Sequence, residues 1–293
     1  MSEKSEISAL VHLLEDPDEN IYIHIKEKLM EIGPECIPLL EKASFEEELG
    51  LLFNDRAKDL IHEIGFKKLI EKHQDWVNIP ASLFDGVTEI DQFIFPNTTL
   101  NYINHEINQM VDDISIQLTN SMSPVEKVMI INNVLFDSYK IYGDKENYHL
   151  PENSSLGNLI KNKKGNPLTI SILYIEIANR LNIPIKGINL PNHFIVGFIN
   201  ENSFGEFKQQ SEYNRNDVLF YINAFSKGVI LQHVDLEDFH SEIKLENDEK
   251  YFTPCDNKDI CKRILTNLVY SYKDSKIKYL KKDLQEIIKL YNK

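Results

Sequence analysis

Residues 167–181 have apolar side chains on nearly every side of a helix. Leu168, Ile170, Ile172, Leu173, Ile175, Ile177, Ala178 and Leu181 leave no broad polar stripe. A helix of that kind belongs at the centre of a domain. Asn166-Pro167 marks its start and Asn182-Ile183-Pro184 its stop. Strand signals follow at 185–190, 194–199 and 218–225, with a short fourth at 228–231. A polar hairpin, 200–217, long and mobile in character, separates the second from the third. A buried helix followed by antiparallel strands predicts an α+β domain.

Helical patterns flank this core on both sides. Asp16-Pro17-Asp18-Glu19 reads as a helix start with Asp16 as the cap. Ile21, Ile25, Leu29 and Ile32 then recur at helical spacing, and Gly33-Pro34 ends the run. Further helices are expected near 45–53 and 55–73. Helix, DP turn, helix and GP break resemble a HEAT-type repeat; a plain helical bundle is the other reading. Residues 76–100, with Trp76, Pro80, Gly86 and Pro96, read as a connector. A helix over 99–119 follows, then one capped by Ser123 with Glu126 three residues on, running to about 139. Asn153 or Ser154 caps a short helix carrying Leu156, Leu159 and Ile160. The basic run 161–165 is either a solvated turn or a local anion site. Asp256 caps a helix with Ile260, Ile264, Leu265 and Leu268 inward, and a last helix covers about 276–291. The expected division is a helical, HEAT-like region 1–76, an α+β domain 77–250 and a C-terminal helical pair 251–293.

Charge and cysteine usage narrow the functional classes. The 293 residues carry a formal net charge of −14. A diffuse acidic surface repels nucleic acid and anionic lipid, so neither is an expected partner. No run approaches the roughly 20 apolar residues of a membrane span. The polar start lacks an apolar signal core, which points to a cytoplasmic setting. Cys36, Cys255 and Cys261 form no disulfide framework and match no zinc spacing. No metal site and no cofactor is expected.

The chemistry-bearing residues fall in one order: a helix N-terminus at Asn166-Pro167, His193 at a strand start, and Asn223 in a later strand. Papain-like catalysis uses that order. Its thiolate sits at a helix N-terminus, where the dipole lowers its pKa. A strand histidine takes the proton, and an Asp or Asn on the next strand holds the imidazole tautomer.

The segment KKGNPLTISILYIEIANRLNIPIKGINLPNHFIVGF, residues 163–198, resembles the SirB family of transglutaminase-like proteins. YINAF at 221–225, with Gly228 after it, is similar to that family's aspartate–proline–phenylalanine strand. The resemblance covers roughly 100–235 and extends toward the flanks, including the segment from Arg263 to Leu268. It implies a transglutaminase-like, papain-like core: a buried helix against an antiparallel sheet. It also implies that His193 stands at the catalytic histidine and Asn223 at the orienting aspartate. In active relatives the nucleophilic cysteine stands at Pro167, which has neither a thiol nor an N–H. Thr169 points away around the helix, and Ser171 lies one turn deeper.

Two functions follow as expectations. One is a non-catalytic protein-interaction, scaffold or regulatory module with a protein partner, in which Asn166, Asn192 and His193 line a ligand-binding cleft. The other is a hydrolase or acyl transferase using a degenerate His193/Asn223 cleft. A purely structural role, with His193 satisfied by Asn223, competes with both.

Overall fold

The computed structural model describes residues 3–45, 49–200, 212–242, 248–273 and 278–292. The chain forms two compact units, Met1–Asp75 and Trp76–Lys293.

The first unit is helical: α1 (Glu3–His12), α2 (Glu19–Ile32), α3 (Ile37–Ala43) and most of α4 (Leu51–Asn78). Val11, Leu14, Leu29, Leu40, Phe53 and Leu60 meet in its core. The cap of α2 is Asp18, whose Oδ1 accepts from the Asn20 N–H at 2.8 Å. Asp16, expected in that role, accepts from the Asp18 N–H at 2.9 Å and shapes the turn before it. Gly33 ends α2 at φ +79°, a left-handed conformation that glycine adopts without strain. The two helices expected over 45–53 and 55–73 are replaced by the single α4, whose start lies at Leu51. No Gly or Pro stands between 51 and 64 to interrupt it.

In the second unit, α5 (Leu83–Ile94) occupies part of the supposed connector. Ser82 caps it, accepting from the Asp85 N–H at 3.1 Å. Gly86 is no turn residue. It lies under the Trp76 ring so closely that a Cβ would come within 2.4 Å of the indole. That indole also donates to Ser82 O at 2.7 Å, so Trp76 packs across the first turn of α5.

Next come α6 (Leu100–Ser115) and α7 (Pro124–Asn132), the latter opened by the expected Ser123/Glu126 capping box. The α-geometry ends at Asn132, and a π-helical turn, Asn133–Ser138, completes the expected span. Two-residue strands β1 (Tyr142–Gly143) and β2 (Lys164–Gly165) pair in parallel. Between them Ser155, not Asn153 or Ser154, caps α8 (Leu156–Asn162), accepting from the Asn158 N–H at 3.0 Å. Two lysines of the basic run around β2 face carboxylates: Lys163 lies 3.9 Å from Glu106 and Lys164 3.4 Å from Asp144.

The central helix is α9 (Pro167–Arg180), and every residue from Pro167 to Ala178 is buried. Against it lies a four-stranded antiparallel sheet in the order β3 (Ile185–Leu190), β4 (His193–Ile199), β5 (Val218–Asn223) and β6 (Val229–Leu231). Residues 201–211 of the expected hairpin lie outside the described residues. The third strand ends at Asn223, two residues earlier than its apolar run, because a 3-10 turn, Ala224–Ser226, takes over. On the sheet face carrying Ile188, Leu190, Ile195 and Tyr221, α10 (His233–Glu242) contributes Leu236 to a second core cluster. Finally α11 (Asn257–Ser271), capped by Asp256, packs on α5, α9 and β3, and α12 (Lys278–Leu290) packs on α11. The architecture is α+β, with helical regions before and after the sheet-bearing core.

Candidate functional site

The start of α9 is built by side chains that satisfy its free N–H groups. Asn166 is the cap: Oδ1 accepts from Thr169 N at 2.9 Å and from Thr169 Oγ1 at 3.1 Å. Its Nδ2 donates to Ser154 Oγ at 2.9 Å. Thr169 Oγ1 also donates to Asn153 O at 2.8 Å, so this hydroxyl is committed to the fold. Pro167 occupies the first helical position, where a missing N–H costs nothing. Ser171 is fully buried, and its hydroxyl has no partner among the described residues.

His193 comes from the β3–β4 hairpin. Pro191 and Asn192 form its two-residue turn, with Leu190 paired to His193. Asn192 sits at φ +58°, which Asn tolerates better than most residues. From α11, Arg263 reaches back to this turn. Its Nη1 donates to Leu190 O at 2.5 Å and to Asn189 Oδ1. The His193 ring meets Phe239 of α10 edge-on, with centroids 4.8 Å apart and planes at 86°. Partial burial and the positive charge of Arg263 both hold the imidazole below its usual pKa.

These elements enclose a cleft of about 530 Å³ that brings Asn166, Pro167, Asn192 and His193 together. Arg263, Asn267 and Tyr270 line it from α11, and Tyr148, His149 and Phe225 complete an aromatic wall. The Tyr148 ring stands 4.9 Å from His149 and 6.3 Å from Phe225; His149 stands 4.8 Å from Tyr270.

Asn223 does not line this cleft. Val196 pairs with Ile222, and continuing that register sets Asn223 against Ile195 rather than His193. Its Oδ1 accepts from the Ser226 N–H at 3.1 Å and caps the 3-10 turn. No hydrogen bond to the His193 ring is formed among the described residues. The contact of the imidazole ring is with Phe239.

Neither distal cysteine lines the cleft. Cys255 borders a different cavity of about 490 Å³, and its N–H donates to Gly187 O at 2.9 Å. Burial pushes its thiol well up. Cys261 is also buried and raised, beside Tyr291. A thiolate needs the opposite environment. Among the described residues no three His, Cys, Asp or Glu side chains cluster as a metal site, and no helix is long and apolar enough to cross a membrane.

The sequence alone does not mark Arg263, His149, Tyr148 or Tyr270 as residues of the site. One signal exists for Arg263. Ile260, Arg263, Ile264, Asn267 and Leu268 follow the inward spacing of α11, so two polar residues stand on its apolar stripe. No comparable pattern marks Tyr148 or His149, which lie in a loop.

The fold and cleft define an α+β protein in which a strand-borne histidine meets the N-terminus of a buried central helix. Residues 101–266 match the family model of the transglutaminase-like superfamily, and the chain belongs to that superfamily. A UPF0162 protein of Xylella fastidiosa is 29% identical over 128 residues, covering 44% of this chain and 39% of the relative. F-box only protein 21 of Homo sapiens is 25% identical over 221 residues, covering 63% of this chain and 34% of its own length. A UPF0162 protein of Vibrio cholerae is 20% identical over 151 residues, about half of each chain (52% and 51%). The chain thus spans well under two thirds of these relatives. No solved structure matches.

Proposed function

We propose that this chain is a non-catalytic transglutaminase-like module, of the SirB kind and with a HEAT-like N-terminal region, that binds a protein partner through the His193 cleft. The observation that carries the reading is Pro167 at the start of α9, where a nucleophile would need to stand. Cys255 and Cys261 are buried away from the cleft, which adds support. The aromatic wall adds further support, because Tyr-rich walls supply contact area at low entropic cost.

A hydrolase or acyl transferase is the second reading. Ser154, a residue of the same cleft lining, favours it. That oxygen accepts from Asn166, however, and makes no hydrogen bond to His193 among the described residues. A serine nucleophile needs a base at hydrogen-bond distance.

The test is selection of a random peptide library on the purified chain, with amide hydrolysis and amine incorporation assayed in parallel. The reading expects peptides that bind reversibly and are recovered intact. A product formed by the native chain and lost in His193→Ala or Ser154→Ala overturns it.

A further inference from the structure

The cleft is a positively charged recess in an acidic protein. The chain carries a formal charge of −14, yet no Asp or Glu stands among the residues lining the cleft. Arg263 is the fixed charge there. Its Nη1 is spent on Leu190 O and Asn189 Oδ1. Its Nε and Nη2 have no acceptor, and its charge no carboxylate partner, among the described residues. A guanidinium drawn partly out of water without a counter-ion is costly. Burial accordingly disfavours its charged form. The two bonds from Nη1 anchor the planar fork, so its remaining donors are pre-oriented.

The walls beside Arg263 are aromatic and amide. Tyr148, His149 and Tyr270 form contiguous ring contacts, while Asn192 and Asn267 offer neutral donors and acceptors. A volume of about 530 Å³ holds one or two residues of a peptide. One arginine matches one carboxylate in a two-bond geometry. A phosphate dianion would meet stronger repulsion from the surrounding acidic protein.

We infer that the cleft is a carboxylate-binding site: it takes an acidic peptide segment whose carboxylate accepts from the free donors of Arg263, with the adjoining side chain against Tyr148 and Tyr270. This rests on the peptide-binding reading above and specifies its ligand class. The carboxylate could belong to a side chain or to a chain terminus, and the two share this chemistry.

The experiment is an NMR titration of the full chain with four probes: acetyl-Ala-Phe as free acid and as amide, and acetyl-Ala-Glu-Phe-amide and its Gln twin. At least one acid is expected to bind about 10- to 100-fold more tightly than its neutral twin, the range for a charge-assisted pair. The pair that discriminates identifies terminus or side chain. Arg263→Gln should abolish the preference. Thr266→Glu, an exposed position on the cleft rim, should weaken the acid selectively even if Arg263→Gln fails to fold. Equal binding of acids and neutral twins, or unchanged preference in Thr266→Glu, overturns the carboxylate assignment and leaves peptide binding standing. No binding by any probe overturns both.

Discussion

Arg263 and Leu190 lie 73 residues apart in sequence, and a 2.5 Å hydrogen bond from Nη1 to the Leu190 carbonyl joins them. The bond ties α11 to the hairpin that presents His193. It also sets a permanent positive charge close enough to depress the imidazole.

His193 should therefore titrate below 6.5, observed by NMR of the ring protons. Burial is the larger cause and Arg263 the second, so Arg263→Gln should move the midpoint part of the way back. The sign for stability follows. Between the folded and unfolded pKa values the unfolded chain binds more protons, so the His193 contribution is full above 6.5 and is lost as pH falls through that window. A midpoint above 6.5 in the native chain would contradict the placement of Arg263.

Asn223→Ala should cost about 1 kcal/mol in chemical denaturation, the worth of a lost side-chain cap, because Asn223 holds the Ser226 N–H. It should leave the His193 midpoint unchanged. If Asn223 orients the imidazole instead, the midpoint moves with the substitution.

Asp91 of α5 accepts from the Gly157 N–H at 2.9 Å and is almost wholly buried. Burial pushes its carboxyl up to about 6, against the hydrogen bonds that favour the anion. The native state then binds more protons than the unfolded chain between 3.8 and about 6, so this residue's contribution to stability falls as pH rises through that range. Carbon-13 carboxyl titration should find the midpoint near 6; an ordinary value near 4 would show that the hydrogen bonds to Asp91 offset its burial.

Gly86→Ala separates local propensity from packing. In an exposed helix the change would stabilise by about 1 kcal/mol. Under the Trp76 ring it overpacks, at about 1–3 kcal/mol, so the gain is cancelled and a net loss of up to about 2 kcal/mol in thermal or urea unfolding is expected. A stabilised variant would refute the close approach of helix and indole.

The legible parts of the fold are those whose cause is local. The α9 helix was readable from its unbroken apolar pattern, and the Ser123/Glu126 box from residues within one turn. Helix α5 is hidden in the sequence because Gly86 and Pro80 look like turn signals, whereas Gly86 answers to the ring of Trp76, ten residues before it. Among the described side chains of α10 only Leu236 is buried, too faint a stripe to read. The long α4 reads as two helices because its apolar spacing is irregular.

For the site, the sequence alone placed a helix start at Asn166-Pro167 and His193 at the head of a strand, and the family resemblance put Pro167 where a thiol would be needed. Each depends on a few neighbouring residues and on backbone geometry. Tertiary structure decided the rest: that Arg263 closes on Leu190, that aromatic residues from a loop and from α11 share one wall, and that Asn223 turns to Ser226. Those outcomes depend on sheet register and on how α11 packs, which no local pattern encodes.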